Sequence, residues 1–128
     1  HLGLPLVIVD KKRERANESE VMNIIGDVQD KSVIMVDDII DTAGTMVKAA
    51  DVLKKNGAIS VIALGTHAVF SGNAIEKIEN GALDEVAVSN SIPFENTSKK
   101  IKVLSVAPLF AEVMRRIYHN ESVNSLFL

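Results

Sequence analysis

The chain has 128 residues, 47% of them hydrophobic and 24% charged, with no cysteine and no tryptophan. That is enough for one domain with its own apolar core, and it excludes a disulfide framework or a thiolate metal site. A formal net charge of −3 excludes bulk nucleic-acid binding, which needs a basic face, and no apolar run approaches the roughly 20 residues needed to cross a bilayer, so a reducing cytoplasm is the expected address.

In chain order, His1-Leu2-Gly3-Leu4-Pro5 reads as the tail of a helix, with Gly3 placed as a C-terminal cap and Pro5 beyond it. The chain is therefore expected to begin inside a larger protein. Leu6-Val7-Ile8-Val9 is a short apolar run rich in β-branched residues, the pattern of a strand buried on both faces. Lys11 to Glu20 has no apolar period and predicts a mobile charged loop, and Val21 to Val28 an additional strand. Val33 to Val36, Val61 to Leu64, Val86 to Val88 and Ile101 to Val106 repeat the strand pattern.

Helical spacing links these runs. Met46, Val47, Ala50 and Leu53 share a face and stop at Lys54-Lys55-Asn56-Gly57, where two cations and a glycine mark a helix end. A shorter helix is predicted from Asn73 to Glu79. The last opens at Ala107-Pro108 and should turn Leu109, Phe110, Val113, Met114 and Ile117 inward. Alternation of strands and helices implies an α/β fold with a mostly parallel sheet of about five strands, flanked by helices.

One stretch does not fit a purely structural account. Val33-Ile34-Met35-Val36 runs into Asp37-Asp38, and Ile39-Ile40 into Asp41-Thr42-Ala43-Gly44-Thr45. In open α/β sheets ligands bind beyond the carboxyl ends of strands. Side chains alternate along a strand, so the two acids point initially to opposite faces and do not make an ion cage. They suit hydrogen bonds to ligand hydroxyls, with Mg²⁺ bridging ligand oxygens nearby. The loop after them precedes a helix whose first N–H groups are free to meet an anion, and Gly44 allows close approach. Helix capping explains one of Asp41 or Thr42, but not three acids and two threonines around a glycine.

This stretch resembles the phosphoribosyl-pyrophosphate motif of type I phosphoribosyltransferases and ribose-phosphate pyrophosphokinases. The segments Pro5 to Arg13, Glu20 to Val28, Ala74 to Asn80, Lys102 to Ile117 and Glu121 to Phe127 are similar to the C-terminal half of the pyrophosphokinases, so that the likeness covers essentially the whole chain. It implies a type I phosphoribosyltransferase-like fold, incomplete at its N-terminus. Residues 1–128 would be the C-terminal domain of a two-domain synthetase, with the N-terminal domain absent from this chain. The implied reaction is Mg²⁺-dependent transfer of diphosphate from ATP to the anomeric hydroxyl of ribose 5-phosphate. Asp37 and Asp38 would hold the ribose, Asp41, Thr42, Ala43, Gly44 and Thr45 the 5-phosphate, and Lys11 and Arg13 would act as catalytic cations on the ATP phosphates.

The resemblance further implies a homo-oligomer, a hexamer in the family, and little activity for this chain alone. A phosphoribosyltransferase that consumes phosphoribosyl pyrophosphate and a non-catalytic regulatory homologue are the alternative readings. The family's prolines after Arg13 are replaced here by Glu14-Arg15-Ala16. His67 is expected to make a local hydrogen bond, and His119 to suit the end of the last helix.

Overall fold

A computed structural model describes residues 3–12 and 21–127. Strands β1 (Ile8–Lys12), β2 (Val21–Ile25) and β3 (Ser32–Ile40) lead into helix α1 (Gly44–Lys55). Then follow β4 (Ser60–Ala68), α2 (Ala74–Asn80), β5 (Glu85–Ser89), β6 (Ile101–Leu104), α3 (Ala107–Tyr118) and a 3₁₀ turn at Asn124–Leu126. β3, β4, β5 and β6 form a parallel sheet in chain order. Parallel neighbours require crossovers, and α1 and α2 supply the first two. Between β5 and β6 the crossover has no helix.

The core lies between the sheet and α1–α2. Val61 and Ala63 of β4, Val86 and Val88 of β5 and Ile101 of β6 face Ala50 and Leu53 of α1 and Ile78 of α2. Met46, Ala49, Ala50 and Leu53 are buried along one stripe of α1, and Val47 packs beside them. The helix ends with Lys54 and Lys55 in its last turn, as the cations there suggest. Lys54 also pairs with Asp84 at 2.8 Å, and Asp84 accepts the Val61 N–H at 2.7 Å. The Lys54 hydrogen bond, followed by the Val61 N–H among the favourable contacts, holds the Asp84 carboxyl below its ordinary range. This strut ties α1 to the start of β4, at the end of the sheet opposite the acidic pair.

Two expectations change. The run at residues 6–9 is not a member of the parallel sheet: β1 pairs antiparallel with β2, Ile8 opposite Ile25 and Lys11 opposite Met22. Val7, Val9 and Ile24 pack against the core, whereas Leu6 is 81% exposed and Ile8 49%. A two-stranded ribbon has only one covered face, and a continuous apolar run does not reveal which face that is. The parallel sheet therefore has four strands, with β3 at its edge. A groove of about 690 Å³ runs along that edge, between Gly3 to Val9 and Val33 to Val36. β1 also takes in Lys11 and Lys12, so the charged segment starts as strand, and the expected loop at 13–20 and the helix tail at 1–2 lie outside the described residues.

The second change concerns α3, which opens with its proline as expected but buries no residue. Phe110, Met114 and Ile117 are 60%, 68% and 64% exposed and Leu109 is 42% exposed; only Val113 is half-buried. Three-to-four periodicity identifies an apolar face, but not a surface to cover it. Polar contacts define the helix end instead. Arg115 bonds Glu112 and Glu121, each at 2.9 Å, Arg116 bonds Glu112 at 2.7 Å, and Arg116 also reaches the Ser122 carbonyl and Ser125 Oγ. Hydrogen bonds from Arg115 and then Arg116 lower the Glu112 carboxyl to about 2.

A carboxyl lowered in the folded state contributes stability above its unfolded value, and loses it as pH falls toward the folded one. The end of α3 should therefore loosen between about pH 4.5 and 2. Following the α3 amide resonances through that range checks this, and Glu112→Gln should shrink the transition to the part contributed by Glu121, whose carboxyl Arg115 also holds low.

Among the described residues no helix is long and apolar enough to cross a membrane.

Candidate functional site

β3 carries Asp37 and Asp38 at the carboxyl end of the parallel sheet, and the strand continues two residues further, to Ile40. Both acids are exposed. Asp37 lies opposite Gly65 in the β3–β4 register, so β4 offers no side chain beside it. The Asp38 N–H donates to Asp37 Oδ1 at 2.9 Å, which orients the first carboxylate. Ile40 is 2% exposed and anchors the end of the strand. Its side chain occupies the space that a side chain at Gly65 would need, since a Cβ there would come within 2.6 Å of Ile40 Cδ1.

From Ile40 the chain turns through Asp41, Thr42 and Ala43 into α1. Ala43 is the N-cap residue, in the left-handed conformation at φ 56°, and no side chain among the described residues caps the helix. Neither Asp41 nor Thr42 therefore serves as the cap that a purely structural account would assign. Val47 donates to the Ala43 carbonyl at 2.9 Å. No acceptor among the described residues meets the N–H groups of Thr42, Ala43, Gly44, Thr45 or Met46.

The carbonyls of the same turn are occupied. Val69 and Phe70 N–H donate to the Ile40 carbonyl at 3.0 and 3.1 Å, and Ser71 N–H donates to that of Asp41 at 3.1 Å. Lys77 Nζ, from α2, donates to the Thr42 carbonyl at 3.2 Å. In a trans peptide the C=O and the following N–H point in opposite directions. Fixing the carbonyls of 40, 41 and 42 against the β4–α2 segment therefore turns the N–H groups of 41, 42 and 43 to the other side. Those of Gly44 to Met46 follow at the open end of α1. Successive free N–H groups through a left-handed residue make an anion-binding concavity, and the helix dipole favours negative charge there.

The structure thus assembles Asp37, Asp38 and Asp41 to Thr45 at one end of β3. Lys11 is placed in β1 by its backbone, opposite Met22, and Arg13 lies outside the described residues. His67 makes the expected local bond, at 2.9 Å to Ser91 Oγ. Ser89 and Ser91 hydroxyls both donate to the Thr66 carbonyl, at 2.7 and 3.1 Å, which ties the ends of β4 and β5 together. His119 is the C-cap residue of α3. Sequence reasoning missed Lys77, which reads in isolation as one more polar residue of a short helix. Its role depends on a contact 35 residues away.

Three comparisons bear on this arrangement. The family model for the phosphoribosyl synthetase-associated domain matches residues 7–128. The ribose-phosphate pyrophosphokinase of Wolinella succinogenes is 78% identical over 127 residues, which cover 99% of this chain and 41% of the relative. That of Campylobacter jejuni is 69% identical over 128 residues, covering 100% and 41%. The chain spans about two-fifths of the length of these curated relatives. The crystal structure of phosphoribosylpyrophosphate synthetase from Mycobacterium smegmatis superposes with a TM-score of 0.82 at 35% identity, over 93% of this chain and 38% of that one. Sequence and backbone agree over nearly all of this polypeptide, and the chain belongs to the phosphoribosyl synthetase-associated domain family.

Proposed function

We propose that this chain is the ribose 5-phosphate-binding part of a ribose-phosphate diphosphokinase, the C-terminal domain of a two-domain cytoplasmic enzyme that assembles as a homo-oligomer. The turn after β3 carries the proposal. Three successive carbonyls are held by the β4–α2 segment and by Lys77, while the N–H groups of Thr42 to Met46 remain open. Such a cup fits a phosphate monoester, and the Thr42 and Thr45 hydroxyls add donors.

Asp37 and Asp38, exposed and a few residues upstream, accept hydrogen bonds from the sugar's neighbouring hydroxyls. This fixes the pentose by both ends and leaves its anomeric hydroxyl to react. That oxygen forms a bond to the β-phosphorus of ATP and loses its proton. The bond from that phosphorus to the α–β bridging oxygen breaks, and AMP leaves. Negative charge spreads over the nonbridging oxygens during transfer, and cationic side chains stabilise it. Lys11 and Arg13 take that role, Lys11 as a compact charge and Arg13 as a planar fork.

Mg²⁺ needs only one or two carboxylates when phosphates and water complete its shell, and the exposed Asp37 and Asp38 are donors of that kind. When bound it neutralises phosphate charge. Positioning of the pentose falls to this chain's own residues.

Titrating ribose 5-phosphate into the ¹⁵N-labelled protein tests the assignment. The amides of Thr42, Ala43, Gly44 and Thr45 should shift together, and ribose without its phosphate should leave them unmoved. Shifts confined to another part of the fold, or an equal response to ribose, would overturn it.

A further inference from the structure

We propose that Lys77 is a positioning residue for the 5-phosphate, acting through the Thr42–Ala43 peptide; this rests on the reading of the turn after β3 as the 5-phosphate site. Among the described residues four hydrogen bonds hold the carbonyls of residues 40–42, and three of them come from backbone N–H groups of Val69, Phe70 and Ser71. The fourth comes from a side chain, the ammonium of Lys77 at 3.2 Å from the Thr42 carbonyl. That carbonyl and the Ala43 N–H belong to one rigid peptide plane, so Lys77 sets the direction of the Ala43 donor. Ala43 has φ 56°, a conformation that L-residues keep only where the surroundings hold it.

The anchor is itself firmly placed. Ala74 and Ile78, on either side of Lys77 in α2, are fully buried, and Lys100 Nζ donates to the carbonyls of Gly81 and Ile78 at 2.8 and 3.4 Å. Lys77 is half-buried, so its stem is packed while its ammonium reaches the turn. The ammonium also lies 3.9 Å from where a Cβ on Gly44 would sit. It therefore fixes the Ala43 donor from the carbonyl side of the Thr42–Ala43 peptide and keeps a positive charge at the same turn. A monoanion or dianion seated there gains from both effects, whereas an uncharged sugar gains from neither.

The test uses the intact enzyme with Lys77→Met, which keeps the apolar stem and removes donor and charge, and Lys77→Arg, which keeps both. With Met, KM for ribose 5-phosphate should rise about tenfold, through loss of the preset Ala43 donor and of the nearby charge, while KM for ATP stays unchanged and the melting temperature falls by only a few degrees, the size expected for one internal hydrogen bond. The preference for ribose 5-phosphate over ribose should fall by the same factor. Arg should restore KM to within about twofold. The Ala43 amide resonance should move in the unliganded Met variant and lose most of its response to inorganic phosphate. An unchanged KM in a protein whose wild-type turn responds to phosphate would overturn the role of Lys77 and leave the site assignment standing. Failure of Arg to restore binding, or an equal rise in KM for ATP, would also overturn it. A wild-type turn that ignores ribose 5-phosphate would instead remove the site reading itself.

Discussion

Replacing Asp37 and Asp38 together by Asn in the intact enzyme should lower kcat/KM for ribose 5-phosphate by about 10²- to 10⁴-fold, with the fold intact. Each carboxylate is assigned a charge-assisted hydrogen bond to a sugar hydroxyl, and such bonds contribute about 1.5–3 kcal/mol each. Two of them sum to about 3–6 kcal/mol, and each factor of ten takes about 1.4 kcal/mol. Both side chains are exposed, and exposed substitutions away from caps and cores change stability by only about 0.5 kcal/mol. The Asp38 N–H to Asp37 bond at 2.9 Å survives in Asn, whose side-chain oxygen is also an acceptor. Steady-state kinetics and a thermal melt on the same sample separate the two effects. Unchanged turnover would remove the acids from the site, and a lowered melting temperature would show that they serve the fold instead.

Gly65→Val should be the most damaging single change to the scaffold beneath the site. Even the first carbon of a side chain at this position would lie 2.6 Å from Ile40 Cδ1 and 2.7 Å from Ile40 Cγ1, with Val88 Cγ1 next at 3.6 Å. Ile40 is 2% exposed and Val88 1%, so neither can move aside into solvent. Overpacking of this kind costs about 1–3 kcal/mol, several degrees in melting temperature for a domain of this size. The damage should reach the cup as well, because Val69 and Phe70 both donate to the Ile40 carbonyl.

Gly44→Ala gives the opposite pattern. A Cβ there meets Lys77 Nζ at 3.9 Å and Thr42 Oγ1 at 4.0 Å, ordinary van der Waals contact, and Ala favours the helix. Stability should therefore hold or rise slightly while affinity for ribose 5-phosphate falls, because the added methyl group competes with close approach of the phosphate. Paired thermal melts and ribose 5-phosphate titrations of the two variants distinguish the glycine that serves packing from the one that serves the ligand. A Gly44→Ala variant with wild-type affinity would refute the close-approach argument.

The same distinction separates what could be read directly from the residues and what could not. The apolar runs at Val33, Val61, Val86 and Ile101 identify the strands of the parallel sheet, the pattern of strands covered on both faces, although only the face toward α1 and α2 is covered among the described residues, and Ile34, Val36 and Leu64 on the other are 46%, 77% and 37% exposed. The start and stop of α1 are equally visible, in Gly44 at one end and Lys54-Lys55-Asn56 at the other. The acidic pair and the Asp-Thr-Ala-Gly-Thr turn are contiguous, so local order alone brings them together. Pairing and covering are different in kind. Leu6 to Val9 carries the same apolar signature as β3, yet joins an antiparallel ribbon with β2, since composition does not encode which neighbour a strand meets. α3 has a sharp apolar stripe and nothing among the described residues to bury it. By itself the sequence determined the strand and helix elements, the acidic pair and the turn proposed to bind the anion, because each depends on residues within one short segment. Only the tertiary structure decided that Gly65 makes room for Ile40, that the β4–α2 segment holds the turn's carbonyls, and that Lys77 reaches Thr42. Each of those is a contact between side chains or backbone groups far apart in the chain, and only packing brings them within reach.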